Sequence, residues 1–191
     1  MTALKPPESL SIEEYLLGEE DSDVKHEFLG GVVHAMAVGT NRHNSIAFSA
    51  MLSLGNQLRG KLCQPFNSDT KVKIEFSDHT RFYYPDAMVV CRKNPETDHF
   101  QSLPDVLIEV LSESTRRTDM GEIKDAYLTI PSLKVLILVD SDSPGVTVYR
   151  RESGGGFRAE RYDGMEETIL LPEIEVELRL GEIYERVEFE N

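Results

Sequence analysis

The chain has 191 residues, 40% of them hydrophobic and 28% charged, with a formal net charge of −14. That length suffices for one domain with a sizeable core, and no apolar run approaches the ~18 residues that cross a bilayer. The acidic balance excludes a broad basic footprint, so any contact with nucleic acid must rest on a local cationic patch or on bound metal.

The N-terminal Met-Thr-Ala-Leu-Lys-Pro-Pro-Glu lacks the apolar stretch of a signal segment. Ser11-Ile-Glu-Glu14 is a capping box that opens a short helix, and Gly18 is its expected stop. Residues 25–29 and 32–36 read as a hairpin turning at Gly30-Gly31. Asn41 is the expected cap of a helix carrying Ile46, Ala50, Met51, Leu54 and Leu58 on one face, ended by Gly60. Residues 62–91 are strand-rich, and 92–103 are polar enough for a surface loop. Residues 103–111 form a near-continuous apolar strand, the pattern of one covered on both faces. A helix follows to about Thr129, with Met120, Ile123, Tyr127 and Ile130 inward and Pro131 closing it. A second apolar strand spans 133–140, so the strand–helix–strand unit predicts a parallel pair. Residues 146–176 read as a β-meander and 180–187 as a terminal helix. The whole predicts one α/β domain with a mixed sheet. Cys63 and Cys91 lack a metal-binding spacing and are expected as reduced, half-buried thiols of a cytoplasmic protein.

The chemistry concentrates in two carboxylates. Asp86 lies in Phe82-Tyr-Tyr-Pro-Asp-Ala-Met-Val-Val90 and Glu109 in Pro104-Asp-Val-Leu-Ile-Glu-Val-Leu111. A carboxylate within a buried strand is costly unless a partner offsets its desolvation. A hard divalent cation shared by two of them does so. The expected cofactor is Mg²⁺ or Mn²⁺, held by Asp86, Glu109 and the carbonyl of Val110. Asp105 follows Pro104 as Asp86 follows Pro85, but it starts the Glu109 strand and is discounted as a ligand. A nuclease signature of this outline ends in Glu-x-Lys, because positions i and i+2 of a strand share a face. Here Leu111 holds the lysine position. Lys71 and Lys73 are possible substitutes. His43, at a helix start, is a candidate contact to substrate or site water, or a helix-end hydrogen-bonding group. Cationic candidates for a nucleic-acid patch are Arg59 with Lys61, Lys71 with Lys73, Arg116 with Arg117, and the group Arg150, Arg151, Arg158 and Arg161.

Longer segments extend the pattern. They are Lys25-His-Glu-Phe-Leu-Gly-Gly31, His43-Asn-Ser-Ile46, Tyr84-Pro-Asp86, Ile108-Glu-Val-Leu-Ser-Glu-Ser-Thr115, Gly121-Glu122 through Tyr127, Ile130-Pro-Ser-Leu133 and Gly181-Glu-Ile-Tyr-Glu-Arg-Val187. Nearly end to end, the chain resembles the PD-(D/E)XK nuclease superfamily and, within it, the Uma-two (Uma2) family of restriction endonucleases. The resemblance implies a restriction-endonuclease-like α/β core, a mixed sheet of about six strands flanked by helices, in a single domain over 1–191. It implies metal-dependent cleavage of phosphodiester bonds in DNA; the lack of a bilayer-length apolar run separately leaves no membrane partner expected. It also implies a further catalytic carboxylate that maps to Glu27. Two sites facing one duplex would suit a homodimer.

The family usually supplies its lysine from the following helix, as Gly-Glu-Lys-x-x-x-Tyr. This chain reads Gly121-Glu122-Ile123-Lys124-Asp-Ala-Tyr127. Lys124 is one helical step away, about 100° and ~1.5 Å. Its long stem can return it to the site as a catalytic group or leave it in solvent. Three readings stay open: a working nuclease, a nuclease-fold binding module without turnover, and an acidic structural protein whose carboxylates sit in salt bridges.

Overall fold

A computed structural model describes residues 9–93, 95–112 and 119–189. Helix α1 (Ile12–Glu20) begins at the Ser11 capping box. Ser11 Oγ accepts the Glu14 N–H at 3.2 Å, and Glu14 Oε2 accepts the Ser11 N–H at 2.8 Å. Gly18 does not stop it, because a lone glycine costs a helix only about 1 kcal/mol; Asp21 is the C-cap. β1 (His26–Leu29) and β2 (Val32–Ala35) pair antiparallel as expected. Gly30 and Gly31 turn between them at φ of 60° and 103°, which only glycine adopts without strain. Helix α2 (Asn41–Leu58) buries Ile46, Ala50, Leu54 and Leu58, but its cap is Thr40 and not Asn41. The Thr40 hydroxyl accepts the His43 N–H at 3.2 Å.

The strands that follow are β3 (Gln64–Asn67), β4 (Lys71–Glu75), β5 (Thr80–Tyr83), β6 (Ala87–Val90), β7 (Phe100–Gln101) and β8 (Val106–Leu111). One wide helical turn, Asp119–Ile123, leads into α3 (Lys124–Leu128). β9 (Val135–Asp140), β10 (Val146–Arg151), β11 (Phe157–Tyr162), β12 (Thr168–Leu171), β13 (Val176–Arg179) and α4 (Leu180–Ile183) complete the order. The expectations for Arg116 and Arg117 fall outside the described residues.

The strands form two principal sheets. The central one has six strands ordered β11-β10-β9-β8-β6-β3, and the other has five ordered β2-β1-β5-β4-β7. β8 and β9 run parallel, as the strand–helix–strand reading requires. The mixed-sheet α/β class is therefore correct, although the strands divide among more than one sheet. The anticipated meander also divides: β12 and β13 form their own two-stranded sheet. The polar loop hides β7, which pairs parallel with β4.

Alternation along β8 separates two cores. Val106, Ile108 and Val110 pack with Ile46, Ala50 and Leu54 of α2. Leu107 and Leu111 pack with Tyr127 of α3 and with Val72, Ile74 and Tyr83 of the five-stranded sheet. A third cluster seats α1 through Tyr15 on Phe28 and Phe82. The chain crosses from one sheet to the other between β5 and β6, through Tyr84-Pro85-Asp86.

The two cysteines form a disulfide, contrary to the reduced pair expected. Antiparallel pairing of β3 with β6 aligns Gln64 with Val90, so the residues just outside that pair, Cys63 and Cys91, meet. A separation of 28 residues conceals this; register reveals it. The pairing removes the thiol argument for a cytoplasmic location. Among the described residues, no helix is long and apolar enough to cross a membrane.

Glu19 anchors α1 to the crossing segment. It accepts hydrogen bonds from the Tyr84 hydroxyl at 2.6 Å and the His26 N–H at 3.2 Å, and its other oxygen meets His26 Nδ1 at 2.7 Å. Burial alone would raise the Glu19 carboxyl, but the Tyr84 and His26 donors outweigh it and hold the group below its ordinary 4.5. A depressed folded pKa gives stability that is present above about pH 4.5 and lost as pH falls through the lower folded value. Thermal midpoints measured from pH 6 to pH 3 should fall less steeply in Glu19→Gln than in the parent chain.

Candidate active site

A cleft of about 270 Å³ opens at the end of the central sheet where the chain crosses from β5 to β6. Glu27, His43, Asp86, Glu109 and Val110 all line it. β6 and β8 are antiparallel and their ladder ends with Ala87 opposite Ile108, which brings Asp86 and Glu109, the residues just beyond that pair, to the same end of the sheet. Glu109 lies on the face of Leu107 and Leu111, where Tyr127 reaches it, and Asp86 reaches the Val110 N–H and His43 of α2; the two meet in the cleft that both line. Glu27 comes from β1 of the other sheet. Its neighbour Phe28 points into the α1 cluster, so alternation turns Glu27 the opposite way, toward the space between the sheets.

Each carboxylate is oriented by protein donors. Asp86 Oδ2 accepts the Val110 N–H at 2.7 Å and lies 3.2 Å from His43 Nε2. Glu109 Oε1 accepts the Tyr127 hydroxyl at 2.6 Å. Burial first, and then the Glu109 charge, push the Tyr127 phenol well above its usual range. It stays protonated and donates at any working pH. Tyr127 packs edge-on against Tyr83, whose hydroxyl accepts from Arg81 at 3.1 Å. The Glu27 charge also raises the Tyr83 and Tyr127 phenols, after burial and their nearer partners. Glu27, Glu109, Tyr127 and Tyr83 thus form one electrostatic neighbourhood. Helix periodicity marks Tyr127 as a core residue only; the signal for its role is the terminal tyrosine of the Gly-Glu-Lys-x-x-x-Tyr pattern.

The lysine position is where the site departs from expectation. Ile123 lines the cleft and is buried. Lys124 does not line it: its ammonium lies 3.2 Å from Asp125 and 5.8 Å over the Tyr149 ring. One helical step has carried the charge off the site. Of the other lysines, Lys73 pairs with Glu75 at 2.6 Å. Lys71 is buried 5.2 Å over the ring of Tyr84, itself a cleft residue, and burial lowers its pKa.

The donor chemistry fits a hard divalent ion: carboxylate oxygens with the nearby Val110 backbone and no soft sulfur. Among the described residues, no three His, Cys, Asp or Glu side chains are gathered into a ready-made metal cluster. The fit rests on the Asp86–Glu109 pair facing Glu27. The second Pro-Asp segment is different. Asp105 is fully buried and accepts from the Cys91 N–H at 2.8 Å and Arg92 at 3.1 Å, with the Lys134 ammonium at 3.0 Å. It is a structural tie, consistent with its exclusion as a ligand.

The Uma2 family model, described as "Putative restriction endonuclease", matches residues 12–181. Two proteins of Synechocystis sp., described as uncharacterized proteins slr1290 and sll1609, are similar in sequence. The first is 33% identical over 151 residues, 78% of each chain. The second is 30% identical over 145 residues, 74% of this chain and 81% of its own. The fold is similar to the crystal structure of a "putative nuclease belonging to DUF820" from Anabaena variabilis. The TM-score is 0.71 at 18% identity, covering 92% of this chain and 98% of that one.

Proposed function

Because this chain belongs to the Uma2 family of restriction endonuclease-like proteins, we propose that it is a metal-dependent endonuclease that hydrolyses phosphodiester bonds in DNA. The observation that carries the reading is that Asp86 and Glu109, at the end of the β6–β8 ladder, line one cleft with Glu27. Asp86, Glu109 and the Val110 carbonyl would hold Mg²⁺ or Mn²⁺. Such an ion, when bound, would supply positive charge against the scissile phosphate and lower the pKa of an attacking water. Glu27 orients that water from the facing sheet, and His43, beside Asp86, contacts the substrate. Tyr127 acts through Glu109, fixing its direction. Incubating the purified chain with plasmid and with single-stranded DNA should give cleavage that requires Mg²⁺ or Mn²⁺ and stops with a chelator. Cutting that is indifferent to the chelator would sink the proposal.

A second reading draws on a specific observation: Ile123 occupies the cleft position where a lysine is expected, and Lys124 is held elsewhere. On that reading the chain binds nucleic acid or a protein partner without turnover. Ile123→Lys separates the two. A preorganised cation beside the scissile phosphate contributes about 10²–10³ in rate, so the variant should cut at least tenfold faster than the parent in a plasmid-nicking assay. An unchanged rate would mean that another group already fills the role.

Tyr127→Phe keeps the ring packing and removes only the donor to Glu109. Partners that orient a metal ligand typically contribute 10–100-fold in affinity. Calorimetric titration with Mn²⁺ should show a loss of that order. Equal affinity in the variant would leave Tyr127 a core residue and nothing more.

A further inference from the structure

Beside the cleft lies a second, larger groove of about 530 Å³, and Asp86 lies in the wall of both. Its floor is the outer face of α2, where Phe48 and Leu52 are 62% and 51% exposed. Asn56, Arg59, Asn67 and Ser68 also line it. The volume is within the range of ligand pockets. An exposed phenylalanine is an unusual lining for a groove that opens onto a candidate catalytic carboxylate.

Charge directs the choice of occupant. Among the described residues lining the groove, Asp86 is the one carboxylate and Arg59 the one cation, on a chain of net charge −14. Neighbouring Asp69 is neutralised by Lys25 at 2.6 Å. Among the described residues, the cationic candidates elsewhere are already engaged. Arg150 pairs with Glu160 and Glu173, Arg158 with Glu160, and Arg161 with Asp140 and Asp163. Arg151 donates to the carbonyls of Leu133 and Ile130, and Lys61 to that of Glu175. The groove is thus a weakly charged passage leading to Asp86 on an otherwise acidic molecule.

We propose that this groove seats single-stranded nucleic acid, one unpaired base stacking on Phe48 and a flanking phosphate meeting Arg59. The Asn56 amide and the Ser68 hydroxyl lie within the same walls for base-edge or sugar contacts. A duplex is disfavoured on two grounds. Its base faces are hidden in the stack, so an exposed ring has nothing to cover. Its affinity also needs several phosphates neutralised, and the groove offers one cation. Stacking on an aromatic ring works for any unpaired base and contributes about tenfold or more per base. What happens to the strand at Asp86 rests on the nuclease reading; the seat itself does not.

The test uses a fluorescein-labelled dodecamer of thymidylate and fluorescence anisotropy in EDTA, where no metal chemistry contributes. Phe48→Ala should weaken binding about tenfold with an unchanged thermal midpoint, since the side chain is mostly exposed. Arg59→Ala should weaken it and flatten its salt dependence by about one phosphate contact. Phe48→Trp should restore binding. The chain has no tryptophan, so that indole is the sole emitter of its kind and should be quenched by the strand. Asp86→Asn should bind as tightly as the parent or more so while losing cleavage, which separates failure of the seat from failure of the nuclease reading. Three results would overturn the seat. One is parent-like binding by Phe48→Ala. Another is equal, equally Phe48-dependent affinity for the matching duplex. The third is a Phe48→Ala change from dimer to monomer with strand affinity intact, which would make the groove an interface between two copies.

Discussion

Asp86→Asn should lower Mn²⁺-supported cleavage about a thousandfold or more while leaving the fold standing. Asp86 lines one cleft with Glu109 just beyond the β6–β8 ladder, so removing its charge leaves one carboxylate where two would share an ion. Charge stabilisation by a bound ion amounts to several kcal/mol at the transition state, and each 1.36 kcal/mol is tenfold in rate. The asparagine keeps a carbonyl oxygen that can still accept the Val110 N–H now held at 2.7 Å. Asp86→Ala removes that acceptor as well, leaving a part-buried donor unmatched at a cost of about 1–3 kcal/mol. The pair of variants therefore distinguishes chemistry from architecture. Asn should lose activity and Mn²⁺ heat with its thermal midpoint preserved; Ala should lose both. Full activity in Asp86→Asn would mean the reacting centre lies elsewhere.

The largest effect on stability should come from the other Pro-Asp segment. Asp105→Ala is expected to destabilise the fold by about 3 kcal/mol or more, as breaking a buried, hydrogen-bonded ion pair does. The side chain is wholly buried and ties the Cys91 N–H, Arg92 and Lys134 together. Arg92 and Lys134 are partly exposed and can recover some hydration, which keeps the figure at the low end of the range. In a chain of this size, each kcal/mol shifts the thermal midpoint by about 2–4 °C. A drop of about 6–12 °C on calorimetry is therefore the expected reading, with Mn²⁺ affinity unaffected. A change under 2 °C would show that Asp105 contributes nothing to holding β6, β8 and β9 together.

These two aspartates show what could be read from sequence and what could not. Both follow proline at the edge of an apolar run. Order along the chain already separated them, because Asp105 begins the strand that carries Glu109 while Asp86 precedes a different one. The buried β8 and β9, their parallel pairing and the capped α1 were legible because periodicity, capping chemistry and crossover rules act locally. The division into separate sheets was not. It depends on where the chain leaves one ladder for the next, and Tyr84-Pro85 gives no periodic mark of that. β7 escaped because two residues carry no pattern, and the Cys63–Cys91 bond because pairing register is a tertiary property. At the site, the carboxylates announced themselves through the cost of burying them. Tyr127 did not, since a buried tyrosine on a helix face reads as packing until its hydroxyl is seen to have a destination. Lys124 shows the converse limit: a one-position offset is a small change in sequence and a large rotation in space.

The passage of the chain between its two sheets has a consequence for inheritance. Tyr84 is fixed to α1 through Glu19, and Ala87 is locked into the β6 ladder, so the two residues between them have no slack. One inserted or deleted residue there would invert the facing of Asp86. Related chains should therefore vary freely in the length of the polar 93–99 segment yet preserve the spacing from Tyr84 to Ala87 to the residue, and a lineage that altered it would be expected to have abandoned the chemistry rather than relocated it.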